Sequence, residues 1–251
     1  RSIIEAIESG LNIASGMHTR LSDVPEIFDA AEKYGVKLYD LRFSNQTFST
    51  GKGIKRSGKR LLTVGTDCSV GKKYTALAIE KAMKENAFKC EFKATGQTGV
   101  LIAERGIAID AIVSDFVSGA VEWLSPDNES DHWDIIEGQG SLFHPSFAGV
   151  SLGLLHGSQP DAIILCHEPT RTNMRGVDTS IPSIQECIDE NIRLGKLTNP
   201  NIRCIGVALN TSDMNSDSKE LKSKISKENN LPCFDPLTDD LSQIIDEIRN
   251  I

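Results

Sequence analysis

From residue 60 onward, short and nearly continuous apolar runs alternate with polar stretches of helical spacing. Runs at 61–64, 90–94, 111–113, 133–136, 162–166 and 202–209 have the pattern of strands covered on both faces. Helical periodicity is clearest at 72–86 and 184–194, and Leu241, Ile244, Ile245 and Ile248 mark a closing helix over 240–248. A mostly parallel sheet with crossover helices follows. In such a sheet ligands lie beyond the carboxyl ends of the strands.

The first 58 residues carry a smaller version of the same alternation. Ile3, Ile4 and Ile7 fall on one face of a helix over 2–9 that stops at Gly10, before a strand over 11–14. Ser22 or Asp23 is positioned to cap a second helix, with Pro25 in its opening turn and an end at Gly35, before a strand over 36–41. This reads as the tail of an α/β domain, and the abrupt start at Arg1 as a trimmed edge. Residues 43–59, rich in Ser, Thr, Gly and Lys with no apolar period, read as a linker. The expected division is therefore 1–58 and 59–251.

Composition narrows the function. Among 251 residues, 27 Lys plus Arg stand against 35 Asp plus Glu, a formal net charge of −8. A duplex nucleic-acid partner is excluded, because that binding needs a basic face. A small anion is compatible, since a local donor cluster can hold a phosphate inside an acidic chain. No run approaches membrane-spanning length. The six cysteines are scattered without a CxxC pair, which points to small buried hydrophobes in a reducing, cytoplasmic setting.

The strongest motif follows the run at 61–64: Gly65-Thr66-Asp67-Cys68-Ser69-Val70-Gly71-Lys72, then a helix. Strand, glycine-bounded loop, Gly-Lys and helix N-terminus direct backbone N–H groups and a partial positive charge at an anion. Five residues rather than four separate the glycines, and Lys73 occupies the place of the magnesium-binding Ser or Thr. Thr75 lies about 200° further round the helix and does not replace that hydroxyl. Two readings follow: acidic residues from other strands hold magnesium, or the loop binds phosphate without it.

Other clusters sit at the ends of the remaining runs. Lys93, with Gly96-Gln97-Thr98-Gly99 after it, offers a second cation and a close backbone approach, with Gln97 and Thr98 as substrate contacts. Asp115 is placed at a carboxyl strand end as a metal ligand. Glu137 in Glu137-Gly138-Gln139-Gly140-Ser141 is a candidate for magnesium or for acid–base work, and Gln139 and Ser141 for substrate binding. His144, or His167 with Glu168, is the candidate general base. Arg171 and Arg175 are candidates for substrate carboxylates, Asn210 for a purine edge, and residues 232–236 for the wall against which a base lies.

The Gly65 to Lys72 loop, with Lys93, Glu137-Gly138 and Asn210 in order, resembles dethiobiotin synthetase-type phosphate-loop proteins. That resemblance implies nucleotide phosphates on Gly71, Lys72 and Lys93, magnesium on Asp115 and Glu137, and adenine at Asn210. A closer resemblance covers nearly the whole chain: His18-Thr19-Arg20-Leu21-Ser22-Asp23, the loop, Gly96 to Gly99, Glu137 to Ser141 with His144-Pro145, and Cys166-His167-Glu168-Pro169 are similar to the D-glutamate N-acetyltransferase family, long catalogued as a domain of unknown function. It implies an amino-terminal Rossmann-like domain, of which the end is present, followed by a P-loop NTPase-like domain. It also implies acetyl transfer from acetyl-CoA to the amine of D-glutamate or a similar amino acid. The two resemblances are reconciled if Lys72, Lys93 and the loop amides hold the phosphates of CoA, a transfer that needs no magnesium-binding hydroxyl. The alternatives are an ATP- and magnesium-dependent kinase or ligase, and a noncatalytic nucleotide-sensing module. Association into a homo-oligomer is compatible with all three.

Overall fold

The computed structural model describes residues 1–214 and 218–251. A small amino-terminal unit consists of helix α1 (Ser2–Glu8), strand β1 (Ile13–Ser15), helix α2 (Pro25–Tyr34) and strand β2 (Leu38–Asp40). β1 and β2 pair in parallel as a two-stranded sheet. Pro25 opens α2, and Gly35 closes it in a left-handed conformation. Neither Ser22 nor Asp23 caps the helix; both lie in a 3-10 turn, Leu21–Asp23. The cause is Asp40, whose carboxylate accepts the Leu21 N–H at 2.7 Å and the Ser22 hydroxyl at 2.9 Å.

Residues 43–56 have no regular structure, yet they do not run free as a linker would. Ser49 and Thr50 lie so close to Gly119 that a side chain there would strike them. The N–H groups of Lys52 and Gly53 donate to Glu122, and Arg56 Nε donates to the Ser125 carbonyl at 2.7 Å. The segment therefore straps the small unit onto the larger one. Arg42, itself buried, adds an ion pair with the exposed Asp110 across that junction.

The larger unit is built on six parallel strands in the order β4-β5-β3-β6-β7-β8: β3 (Lys59–Gly65), β4 (Cys90–Lys93), β5 (Trp133–Ile136), β6 (Ala162–His167), β7 (Arg203–Leu209) and β8 (Cys233–Phe234). On one face Leu61, Ile135 and Ile164 pack against α3 (Lys72–Glu85), α4 (Gln97–Ala103) and α9 (Ser242–Arg249). On the other, Leu62, Ile136, Ile163 and Val207 pack against α5 (Val117–Leu124), α6 (Ala148–Ser158), α7 (Ile184–Gly195) and α8 (Ser218–Asn229). The chain leaves β3 toward the β4 edge and, after β5, crosses to the β6 side. The crevice beyond the carboxyl ends of β3 and β5 is thus the switch point at which such sheets bind ligands.

The run at 111–113 forms no strand. Ala111 ends one 3-10 turn, Ile109–Ala111, and residues 112–113 connect it to a second, Ser114–Phe116. Asp115 sits exposed in the second turn instead of at a strand end. Residues 97–99, expected to bring the backbone close to a ligand, are the first turn of α4 with Gly96 as its N-cap.

Candidate functional site

β3 delivers the loop 65–71 to the crevice, and α3 begins at Lys72 with no side chain capping its N-terminus. The first N–H groups of a helix have no partner within the helix, so here they are turned outward for an anion. Ser69 and Gly71 both take left-handed φ values, 54° and 100°, to make the turn. A Cβ on Gly65 would press within 2.9 Å of Lys72 Nζ, so the loop closes tightly on its own lysine.

An open cavity of 550 Å³ lies over this N-terminus. Cys68, Ser69, Val70, Gly71, Lys72 and Lys73 form its floor. Glu137, Gly138 and Gln139 from the end of β5 form one side, and Asn210 with Asp235, Pro236 and Leu237 the other. Gly138 is there because its Cβ would overlap the Thr63 carbonyl, and its N–H donates to Thr63 Oγ1 at 2.9 Å. That contact holds Glu137 beside the loop.

Each polar group at the site has a definable state. Glu137 is 4% exposed, and its Oε2 accepts the N–H groups of Thr95 at 3.0 Å and Gly96 at 3.1 Å. Burial pushes its carboxyl above the usual range, partly offset by those two bonds and by the charges of Lys73 and Lys72. Lys72 is buried, and its Nζ donates to the Asp67 carbonyl at 2.8 Å; burial lowers its pKa. Asp67 is wholly buried behind the loop. Burial alone would raise its pKa, but the Arg175 N–H at 2.8 Å, the Arg171 guanidinium at 2.6 Å and the Cys68 N–H at 2.7 Å together hold it below the usual carboxylate range. Burial and the neighbouring Asp67 push the Cys68 thiol up, which disfavours a nucleophilic thiolate.

Several residues named from sequence are brought together: Cys68 to Lys72 of the loop, Lys73, Glu137, Gln139 and Asn210 all face one cavity, whereas Gly65, Thr66 and Asp67 do not line it, Thr66 and Asp67 being wholly buried. Others are placed elsewhere. Lys93 does not reach over the loop; its Nζ turns back to Glu91 at 2.6 Å and Asp134 at 3.5 Å. Asp115 is not on the cavity wall, nor are Gln97 and Thr98, and Gln97 packs under Gly16 of the small unit. His144 is 1% exposed, stacks on Phe147, accepts the Ser146 N–H at Nδ1 and faces the Arg175 carbonyl with Nε2 at 3.0 Å. Both ring nitrogens are engaged with backbone groups, and the ring braces the loop from behind instead of lining the cavity.

Ser141 is buried and likewise turned inward, its Oγ accepting the Phe143 N–H. His167 Nδ1 pairs with Thr66 Oγ1 at 3.0 Å, and burial lowers its pKa; Glu168 accepts from Thr170 and faces Arg171. Arg171 spends its guanidinium on Asp67 and on the Cys68 and Ser69 carbonyls. Arg175 is exposed, with Nη1 on Ser69 Oγ at 2.8 Å. Sequence reasoning passed over Tyr74 and Leu237, which line the cavity; an exposed apolar residue in a polar stretch is the only signal they leave.

Magnesium fits these donors poorly. Lys73 replaces the hydroxyl, Thr75 Oγ1 is tied to the Gly71 carbonyl at 3.1 Å, and Asp115 is not among the residues lining the cavity. Glu137 has one oxygen committed to two amides.

Residues 47–245 match the family model described as a domain of unknown function (DUF1611_C), P-loop domain, and residues 1–44 match the DUF1611_N Rossmann-like domain. The chain belongs to the DUF1611 family. Its fold is that family's Rossmann-like unit followed by a P-loop NTPase-like domain. Among similar family relatives, a D-glutamate N-acetyltransferase from Pseudoalteromonas sp is 54% identical over 245 residues, which cover 97% of this chain and 74% of the relative. A protein of the same name from Tritonibacter scottomollicae is 44% identical, covering 99% and 75%. The crystal structure of a DUF1611 family protein from Anabaena variabilis superimposes with a TM-score of 0.90 at 30% identity, covering 99% of this chain and 74% of that one.

Proposed function

We propose that the chain is an N-acetyltransferase that moves an acetyl group from acetyl-CoA to the amine of D-glutamate, with the cavity over α3 as its donor site. The observation that carries this reading is the 54% identity to a D-glutamate N-acetyltransferase across 97% of the chain. The geometry supports it. CoA presents a diphosphate and a ribose phosphate, which suit the uncapped helix N-terminus and loop amides. Its adenine suits the wall of Asn210, Pro236 and Leu237.

In the transfer, Glu137 takes a proton from the substrate ammonium. The freed amine attacks the thioester carbonyl; the nitrogen of the tetrahedral adduct loses its second proton to water, the carbon–sulfur bond breaks, and the expelled CoA thiolate takes the proton held by Glu137, leaving the neutral amide. A carboxyl held above its ordinary pKa by burial suits that exchange, because its proton affinity lies nearer the working pH. Arg175, exposed and with one guanidinium nitrogen engaged, is the cation available to a substrate carboxylate. Incubation with acetyl-CoA and D-glutamate, followed by chiral mass-spectrometric analysis, is expected to yield N-acetyl-D-glutamate and free CoA. Absence of product, together with phosphorylation or ligation when ATP and magnesium replace acetyl-CoA, would overturn the reading.

A further inference from the structure

Two consecutive lysines open α3, and they are used differently. Lys72 is folded inward, with Nζ on the Asp67 carbonyl and its tip enclosed by Gly65. Lys73 is half-buried and lines the cavity; among the described residues no hydrogen bond or ion pair ties its ammonium, which rests 4.6 Å from the centre of the Tyr74 ring. Its charge reaches Glu137 across the cavity. Lys73 also stands at the position where a loop of this type supplies a hydroxyl to magnesium.

We propose that the Lys73 ammonium takes the place of the divalent cation at this loop, so that the diphosphate of the acetyl donor is bound without magnesium. The inference rests on the acetyl-donor reading given above. A diphosphate on the loop amides needs a positive charge facing it, and Lys73 lines the cavity with no hydrogen bond or ion pair holding its ammonium among the described residues. Acyl transfer breaks a thioester bond and leaves the phosphates untouched. No charge develops on them that a doubly charged metal would have to follow, in contrast with phosphoryl transfer. A fixed single charge is enough to hold the ligand. A metal entering the site would meet that ammonium as a like charge, so the same residue selects against nucleotides that arrive as magnesium complexes.

The test is calorimetric titration of the whole chain with CoA, in EDTA and in millimolar magnesium chloride at matched ionic strength. Wild type is expected to bind with the same affinity, within about twofold, in both. Lys73→Thr should bind about tenfold more weakly in EDTA, the effect of one lost charge near a phosphate, whereas Lys73→Arg should stay within about threefold of wild type. Thermal melts establish that the variants are folded, and the wild-type comparison needs no variant. Wild-type affinity that collapses in EDTA would overturn the inference, as would Lys73→Thr binding that equals wild type, or Lys73→Arg as weak as Lys73→Thr. CoA binding that requires magnesium removes the role of Lys73 alone. No CoA binding, with tight ATP binding in its place, removes the acetyl-donor reading itself.

Discussion

Asp67 shows how this loop keeps its shape, and its removal is the perturbation whose size is easiest to work out. The carboxylate is wholly buried and receives the Arg171 guanidinium at 2.6 Å, the Cys68 N–H at 2.7 Å and the Arg175 N–H at 2.8 Å. Breaking a buried ion pair by deleting one partner costs about 3–5 kcal/mol, because the other charge is left behind. Arg171 is 22% exposed at its side chain and keeps the Cys68 and Ser69 carbonyls, so water relieves part of that penalty. Asp67→Ala is therefore expected at the low end, about 3 kcal/mol. Arg171→Ala leaves the wholly buried Asp67 charge with only two N–H donors and should cost at least as much, about 3–4 kcal/mol. The pair shares one interaction, so the double variant should fall short of additivity by about 1–2 kcal/mol. Urea unfolding of the three variants measures this. Because the folded-state pKa of Asp67 is depressed, its contribution is present above the unfolded value of 3.8 and is lost as pH falls through the folded value. The gap between wild type and Asp67→Asn should thus be constant near neutrality and close only in strong acid. An Asp67→Ala cost under about 0.5 kcal/mol, or additive single losses, would refute the latch.

Further outcomes follow from the same contacts. Glu137→Gln should lower turnover at least about 100-fold while leaving the melting temperature equal or higher, since it removes a buried charge and keeps an acceptor for Thr95 and Gly96. The raised Glu137 pKa makes wild type lose stability relative to that variant as pH rises from 4.5 through the folded value, which melts across a pH series would reveal. Gly138→Ala should destabilise by about 1–3 kcal/mol and weaken CoA binding, because the new methyl meets the Thr63 carbonyl and pushes Glu137 off the loop; chemical unfolding and titration check both. His144→Ala should cost about 2–3 kcal/mol in unfolding experiments, and the pH–rate profile of the folded fraction should keep its shape, as befits a brace.

Much of this architecture is legible in the chain because parallel strands are covered on both faces and so read as unbroken apolar runs. Five runs became strands of the six-stranded sheet, and the sixth failed. Residues 111–113 are too few for periodicity to decide, and Asp110 just before them is taken by Arg42 from a distant segment. α6 was missed for a different reason. It is apolar nearly all round, and Gly153 and Gly157 lie one turn apart where Val117, Ser118 and Val121 of α5 press in. Close helix approach needs those glycines, but they leave no apolar stripe of helical period in the sequence.

The site divides in the same way. Which residues end up beyond strand ends follows from the runs, so the loop, Glu137 and Asn210 were found. Where a long side chain turns is a tertiary fact. Lys93 bends back to Glu91 and Asp134, and Arg171 inward to Asp67. Nothing in their neighbours along the chain foretells either. Likewise the burial of His144 depends on Phe147 and the Arg175 carbonyl, which a motif does not display.

The most direct measurement is a crystal structure of the chain soaked with CoA in the absence of magnesium. Density for the diphosphate against the amides of residues 69–73, with the Lys73 ammonium on its oxygens and the adenine between Asn210 and Leu237, is the predicted result. CoA bound away from the α3 N-terminus, with that cavity left open, would contradict the account.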